Sequence, residues 1–307
     1  MHYEYAVQPR VMGSSWETFR YLIEKFGFDK GRLIAEFPRK GWFRGVYDAA
    51  TGFSPMQRAR LEILLKEARG TKVIRSDRPY DQNLEWFPNA LVEHQRLSFR
   101  AIIARENGAG SNAVLLADEM DEQHPLMLVP GSASILRDAA SIASALSVLL
   151  EYSSNLLFVD PFYDPFNQRY KDSLRECLHI VKEQNSEAVC EIHYRYHPNA
   201  PSPVEIEREA NNIFPGIIPE GMSVRIYCWK EREGGSDFHA RYLLTDKGGV
   251  GVDAGFSAEG NHQTTDMHRM DTSFCQERVA AFDRAATVYE LVEPVLLITA
   301  TGQVTHG

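Results

Sequence analysis

The chain has 307 residues, a formal net charge of −9, 44% hydrophobic and 24% charged residues. That is the balance of a globular protein large enough for one large domain or two ordinary ones. No apolar run reaches the about 18 residues a membrane helix needs, and the opening MHYEYAVQPR lacks the basic-then-apolar layout of a secretory signal. A membrane span and secretion are therefore not expected. Cys177, Cys190, Cys228 and Cys275 lie far apart with no C-x-x-C pair, which excludes a dense disulfide framework and the usual zinc ribbons and fits a reducing cytoplasm.

In chain order, Ser14-x-x-Glu17 reads as a capping box opening an amphipathic helix over 15–26, and Ser54-Pro55 as the N-cap and first residue of a helix over 55–68 that ends at Gly70. TKVIR is a short strand candidate, 83–95 a helix, and FRAIIARE and AVLLADEM are β-rich runs split by the turn-forming ENGAGSN. Residues 1–110 hold 18 Lys and Arg against 13 Asp and Glu, whereas residues 111–307 hold 15 against 29. Within the basic part, Arg39, Lys40, Arg44, Lys72, Arg75 and Arg78 interleave with Phe37, Trp42, Phe43 and Tyr47. Such spacing suits a phosphate backbone with stacked bases. Solvated helix faces with core aromatics between them give the same pattern, and both readings stay open.

Beyond residue 120 the pattern becomes regular. A helix over 136–151 leads to the buried strand NLLFVDPF, then come the helix QRYKDSLRECLHIVKEQ, the strand AVCEIHYRYH, a helix started by Ser202 and Pro203, and the strand MSVRIYCWK. A hairpin follows, DFHARYLLTD and VGVDAGF around the turn KGG, and then a helix over 275–290 and a last strand PVLLITA. This order predicts an α/β sandwich whose sheet is covered by helices on both faces, over residues 126–307, preceded by a smaller mixed α+β domain over 1–125.

The chemistry concentrates in Asp237-Phe-His239-Ala-Arg241-Tyr-Leu-Leu-Thr-Asp246, an H-x-R-x4-D pattern on an expected strand. Residues two apart on a strand share a face, so His239 and Arg241 project together. A guanidinium can hold two phosphate oxygens while a neutral imidazole attacks phosphorus. Asp246 falls at the KGG turn, where fixing the strand end or pairing with a base suits it better than taking a proton. Glu191, His193, Arg195 and His197 alternate along one strand, which places them either at the site as phosphate ligands or orienters of His239, or on an exposed edge strand. Asp160, at the end of FVDPF, is a second candidate orienter or a turn carboxylate. A zinc site from Cys190, His193, His197 and Cys228 is not expected, because Cys190 and His193 point to opposite faces of a strand. Walker, G-x-S-x-G and dinucleotide-binding motifs are absent from the sequence.

At His239, Arg241 and Asp246 the sequence resembles the phospholipase D superfamily, whose hallmark is H-x-K-x4-D on a strand of a β-α-β-α-β-β half-domain. The arginine variant followed by a glycine-rich strand is similar to a divergent branch that includes the phospholipase-D-like C-terminal domain of MIT proteins and bacterial relatives. The resemblance covers residues 135–300, and Gly255, Ser257 and Asn261 stand near the family's small-residue and asparagine positions but out of register. It implies metal-independent attack by a histidine, a phosphohistidine intermediate, a second histidine as general acid and no cofactor. Ser257 joins the substrate-binding candidates on this basis. The chain holds one such motif, since His193 and Arg195 are followed five places on by Ala200. The resemblance therefore implies a homodimer that pairs two copies of His239. The expectation is a cytoplasmic phosphodiesterase, a nuclease with nucleic acid as partner, of the kind recruited with other subunits as an effector of bacterial anti-phage defence. The alternative is a non-catalytic phosphate-, nucleic-acid- or phosphoinositide-binding module within a larger complex.

Overall fold

A computed structural model describes residues 1–260 and 262–307; Asn261 lies outside them. The chain divides into two units, His2–Pro130 and Gly131–Gly307 with Met1.

The first unit is built on a parallel sheet in the order β3-β2-β1-β4-β5, formed by β1 (Tyr3–Val7), β2 (Arg32–Glu36), β3 (Val73–Arg75), β4 (Ala101–Ala104) and β5 (Val114–Leu116). Helices α1 (Pro9–Met12), α2 (Trp16–Lys25), α3 (Trp42–Ala49), α4 (Pro55–Ala68) and α5 (Trp86–Arg96) connect the strands. Because neighbouring strand residues face opposite ways, Tyr5 and Val7 pack on Phe19, Leu22, Trp42 and Leu65, while Ala6 packs with Trp86 and Ala90. Helices thus cover both faces. The mixed α and β unit expected from sequence is an alternating one with a parallel sheet. β1 and β2 escape sequence reading because each short run carries charges, Glu4, Arg32 and Glu36. Arg78 pairs with Glu4 at 2.7 Å, and Arg32 donates to Lys25 O and Met127 O, so two of these charges are satisfied in place.

Cap chemistry explains the helix starts. In α4 the Ser54 side chain accepts from Gln57 N–H and the Gln57 side chain from Ser54 N–H, with Pro55 first in the helix. The N-cap of α2 is Ser15, whose Oγ accepts from Thr18 N–H, rather than Ser14, whose hydroxyl donates to Val11 O.

The second unit carries a nine-stranded mixed sheet in the order β14-β13-β9-β8-β7-β10-β11-β12-β6. Its centre is the parallel trio β7 (Asn155–Val159), β8 (Val189–Arg195) and β9 (Ser223–Glu231), joined by α7 (Gln168–Gln184) and α8 (Pro203–Ile213). β10 (Tyr242–Thr245) runs antiparallel to β7 and continues into β11 (Gly249–Val252), β12 (Thr264–Arg269) and β6 (Ser132–Leu136), while β13 (Tyr289–Thr299) and β14 (Val304–His306) extend the other side. Helix α6 (Ala139–Tyr152) packs against α7. Residues of α7, Leu174 and Cys177, meet Phe158 and Ile192 on one face of the sheet. Helix α9 (Thr272–Ala281) and the following Phe282 cover Leu157, Val159, Tyr227, Trp229 and Leu244 on the other. Sheet coverage on both faces follows from the long apolar strands. Strands β6 and β12, short and rich in small or polar residues, were not expected, and the helix expected over 275–290 ends at Ala281, with Tyr289 already in β13.

Candidate active site

The parallel strands β7, β8 and β9 end on one edge, and β10, running the other way, begins there. That edge gathers Asp160 after β7, Arg195 ending β8, Glu231 ending β9, His239 and Arg241 just before β10, and the turn from Asp253 to Phe256 after β11. Carboxyl ends of parallel strands are the usual ligand crevice of such sheets. The H-x-R segment is not itself strand. β10 starts at Tyr242, although Arg241 O still accepts from Val252 N–H at 3.0 Å, so Arg241 is held by the ladder and His239 lies in the extended approach to it.

Asp160 is 2% exposed and accepts two backbone N–H bonds of 3.0 Å, from Phe162 to Oδ1 and from Phe256 to Oδ2. Burial raises its pKa, opposed by those N–H groups and by Arg241 and Arg137. Arg241 donates to Asp253 O at 2.9 Å, using one of the five N–H groups of its fork, and its guanidinium lies 4.9 Å from the centre of the Phe162 ring. Arg195 lies 5.3 Å from the same ring and pairs with Glu231 at 3.2 Å. Two guanidiniums thus meet at one exposed aromatic ring, the geometry for an anion at its rim. Gly255 explains the close packing: at φ +72° a side chain is strained, and a Cβ there would overlap Asp160 Oδ2 and come within 3.3 Å of Arg241 Cδ.

His239 is exposed, and its ligand atoms with those of Glu231 and Asp237 all lie within 4.8 Å of one another. Glu231 Oε1 also accepts from Phe238 N–H at 2.7 Å, and that bond, then Arg195 and His239, hold its carboxyl below the usual range. Glu231 thus lies within reach of the imidazole, whereas both Asp160 oxygens are taken by the Phe162 and Phe256 N–H groups. One imidazole and two carboxylates could also take a divalent ion, which would occupy the nitrogen lone pair that an attack on phosphorus needs.

Several expected residues lie elsewhere. Asp246, at the opposite end of β10, accepts from Ser154 N–H at 2.8 Å and Asn155 N–H at 3.1 Å and fixes the start of β7; a catalytic role does not fit that position. β8 is a central strand, which removes the edge-strand reading. His193 is fully buried, its Nδ1 accepting from Trp229 Nε1–H at 3.0 Å and its Nε2 donating to Glu191 at 3.3 Å, with Tyr227 stacked at 4.7 Å. Burial pushes its pKa down, against the pull of Glu191. Burial pushes Glu191 up, but His193 and Arg225 outweigh it and leave the carboxyl below its usual range. His193 and Glu191 form a structural pair, and of that alternating set Arg195 reaches the site, with His197 beside it in the neighbouring cleft. Ser257 is buried beyond Phe256, its carbonyl accepting from Arg137 Nε at 2.9 Å. Sequence reasoning passed over Phe162, Glu231 and Asp237. The even spacing of Trp229 and Glu231 along β9 was the available signal for Glu231, while Phe162 and Asp237 belong to loops whose fold alone brings them in.

The basic set of the first unit is largely engaged. Lys72 Nζ donates to Ile23 O at 2.7 Å and Phe26 O at 3.0 Å, closing the end of α2, and burial lowers its pKa. Arg78 joins Glu4 and stacks 3.8 Å over Phe99. These two are structural cations rather than phosphate contacts. Arg39 and Arg75 share Asp77, Arg44 stands 3.7 Å from Asp48, and Lys40 is exposed. Phe37 and Trp42 are buried in the core and cannot stack on bases.

No protein-family model and no curated protein matches the chain. Among solved structures, the chain is similar to TrmBL2, an archaeal chromatin protein whose structure is described as showing a novel mode of DNA binding, at 13% identity and a TM-score of 0.28 over 53% of this chain. The match spans 55% of that protein's length, and at that score it has no bearing on fold or function. Among the described residues, no helix is long and apolar enough to cross a membrane.

Proposed function

We propose that Gly131–Gly307 is a phospholipase-D-like, metal-independent phosphodiesterase, a nuclease in which His239 is the nucleophile. The observation that carries this reading is the convergence of His239, Arg241, Arg195 and Glu231 on one edge of the sheet beside the Gly255 turn. Arg241 and Arg195 hold the phosphate oxygens, Glu231 orients the imidazole, and the imidazole nitrogen attacks phosphorus. The P–O bond to the leaving group breaks, and the departing oxygen takes a proton from His239 of a second copy. Water then opens the phosphohistidine, with that second imidazole as base. One motif per chain makes the active species a homodimer.

The 29 acidic against 15 basic side chains of residues 111–307 weigh against an anionic bilayer and against a long nucleic-acid track alike, so a nucleic-acid substrate would be held locally at Arg195 and Arg241. The test is cleavage of labelled single- and double-stranded DNA and RNA in excess chelator, comparing the wild type with His239→Ala. A second reading, a phosphate-binding module without turnover acting within a larger assembly, is favoured by the exposure of His239, since Arg241 and Arg195 can grip a phosphate whether or not the imidazole attacks.

A further inference from the structure

We infer that the cleft beside Arg195 receives an unpaired nucleobase, so that the substrate is single-stranded nucleic acid with the base next to the bound phosphate held on Phe162. This deepens the phosphodiesterase reading and rests on it for the position of the phosphate. The cleft, about 250 Å³, opens between the turn after β7 and the turn after β8 and is lined by Phe162, Tyr163, Asp164, Arg195, His197 and Asn199. Its floor and rim have distinct chemistry. Phe162 is 45% exposed although it sits in the turn beside a buried carboxylate, and the guanidiniums of Arg195 and Arg241 lie 5.3 Å and 4.9 Å from its ring centre. Bases splayed from a strand stack on aromatic rings and on guanidinium planes, and both are offered at this one point.

The rim supplies the edge contacts that a base, unlike an acyl chain, can use. His197 Nδ1 accepts from Asn199 N–H at 3.1 Å, which places the proton of the neutral ring on Nε2 as a donor. Asp164 Oδ1 is taken by Phe166 N–H at 2.9 Å, and Oδ2 is an acceptor. The exposed Asn199 amide offers both. A base paired within a duplex must first be unstacked and unpaired to enter such a cleft, which favours single strands as the substrate class.

The test uses the full chain carrying His239→Ala, so that cleavage does not intervene, in excess chelator. Fluorescence anisotropy compares a labelled oligothymidylate with an oligomer of equal length whose central nucleotides are abasic. Tighter binding of oligothymidylate by about fivefold or more, the low end of one stacked base, is expected. Phe162→Ala should erase the difference and Phe162→Trp keep it, with circular dichroism confirming that both variants fold. Equal affinity for the two oligomers, binding of neither, or a difference that survives Phe162→Ala overturns the assignment. Hydrolysis of bis(p-nitrophenyl) phosphate, an ester without a base, by the wild-type chain separates the two ideas. Base-independent binding with that hydrolysis intact removes the base cleft alone, and base-dependent binding without hydrolysis removes only the catalysis.

Discussion

Arg241 stands across from Asp160 in the antiparallel ladder of β7 and β10, one step beyond the pair Tyr242 and Val159. The buried carboxylate is thereby committed to a backbone cradle and lies in the field of Arg241 and Arg137, and Arg241 is held through Asp253 O and the Val252 N–H before any substrate arrives. Preorganised charge of this kind does most work in a transition state. Arg241→Ala should lower kcat/KM for a phosphodiester by about a hundredfold or more. Arg241→Lys should retain a larger share as a point charge without the fork. Equal rates for wild type and Arg241→Ala would remove Arg241 from the chemistry.

Gly255 is the position where backbone and site are least separable. Gly255→Ala adds a strained left-handed residue, costing about 1 kcal/mol or more, and forces Asp160 and Arg241 apart. Thermal unfolding should show a lowered midpoint, and phosphodiester turnover should fall further than the stability loss explains. A variant with wild-type turnover would show that the Asp160–Arg241 spacing does not matter.

Asp246 lies at the far end of β10 and supports the N-terminus of β7. Asp246→Ala should cost about 1 kcal/mol of stability through two lost hydrogen bonds, read by urea unfolding, while chelator-resistant turnover stays unchanged. A loss of turnover comparable to that of His239→Ala would return Asp246 to the active site.

The buried His193 gives a pH signature with a definite sign. Its folded pKa lies below the ordinary value because burial disfavours the charged ring, so the unfolded chain takes the proton first. Stability is full above about pH 6.5 and is lost progressively as pH falls toward the lowered folded value. Glu191, held below the usual carboxylate range, stays ionised through this window and loses its contribution only below about pH 4.3. Urea midpoints between about pH 7 and pH 5.5 should therefore drop more steeply for the wild type than for His193→Gln. Parallel slopes would mean that His193 is not held neutral.

The long elements of the second unit were legible because buried strands such as NLLFV and capped helices such as that opened by Ser202 and Pro203 carry their own signals. Strands β1 and β2 were not, because Glu4 and Arg32 interrupt short apolar runs and have partners far along the chain, Arg78 and Met127. At the site, His239 and Arg241 stood out through their spacing. Glu231, Asp237 and Phe162 did not, since their proximity depends on three loops meeting at one sheet edge. His193 misled for the converse reason: strand alternation put it on a polar face, and Trp229 and Glu191 turned that face into a buried, hydrogen-bonded layer.

The central claim is that His239 attacks phosphorus without a metal. The most direct measurement is cleavage of labelled single-stranded DNA and RNA in excess chelator, which also clears any ion from the Glu231, Asp237 and His239 donors. The expected result is activity in the wild type and none in His239→Ala, with both proteins folded and the labelled phosphate trapped on wild-type protein after an alkaline denaturing quench, in which a phosphohistidine survives. Activity that survives His239→Ala, or that disappears in chelator, would contradict it.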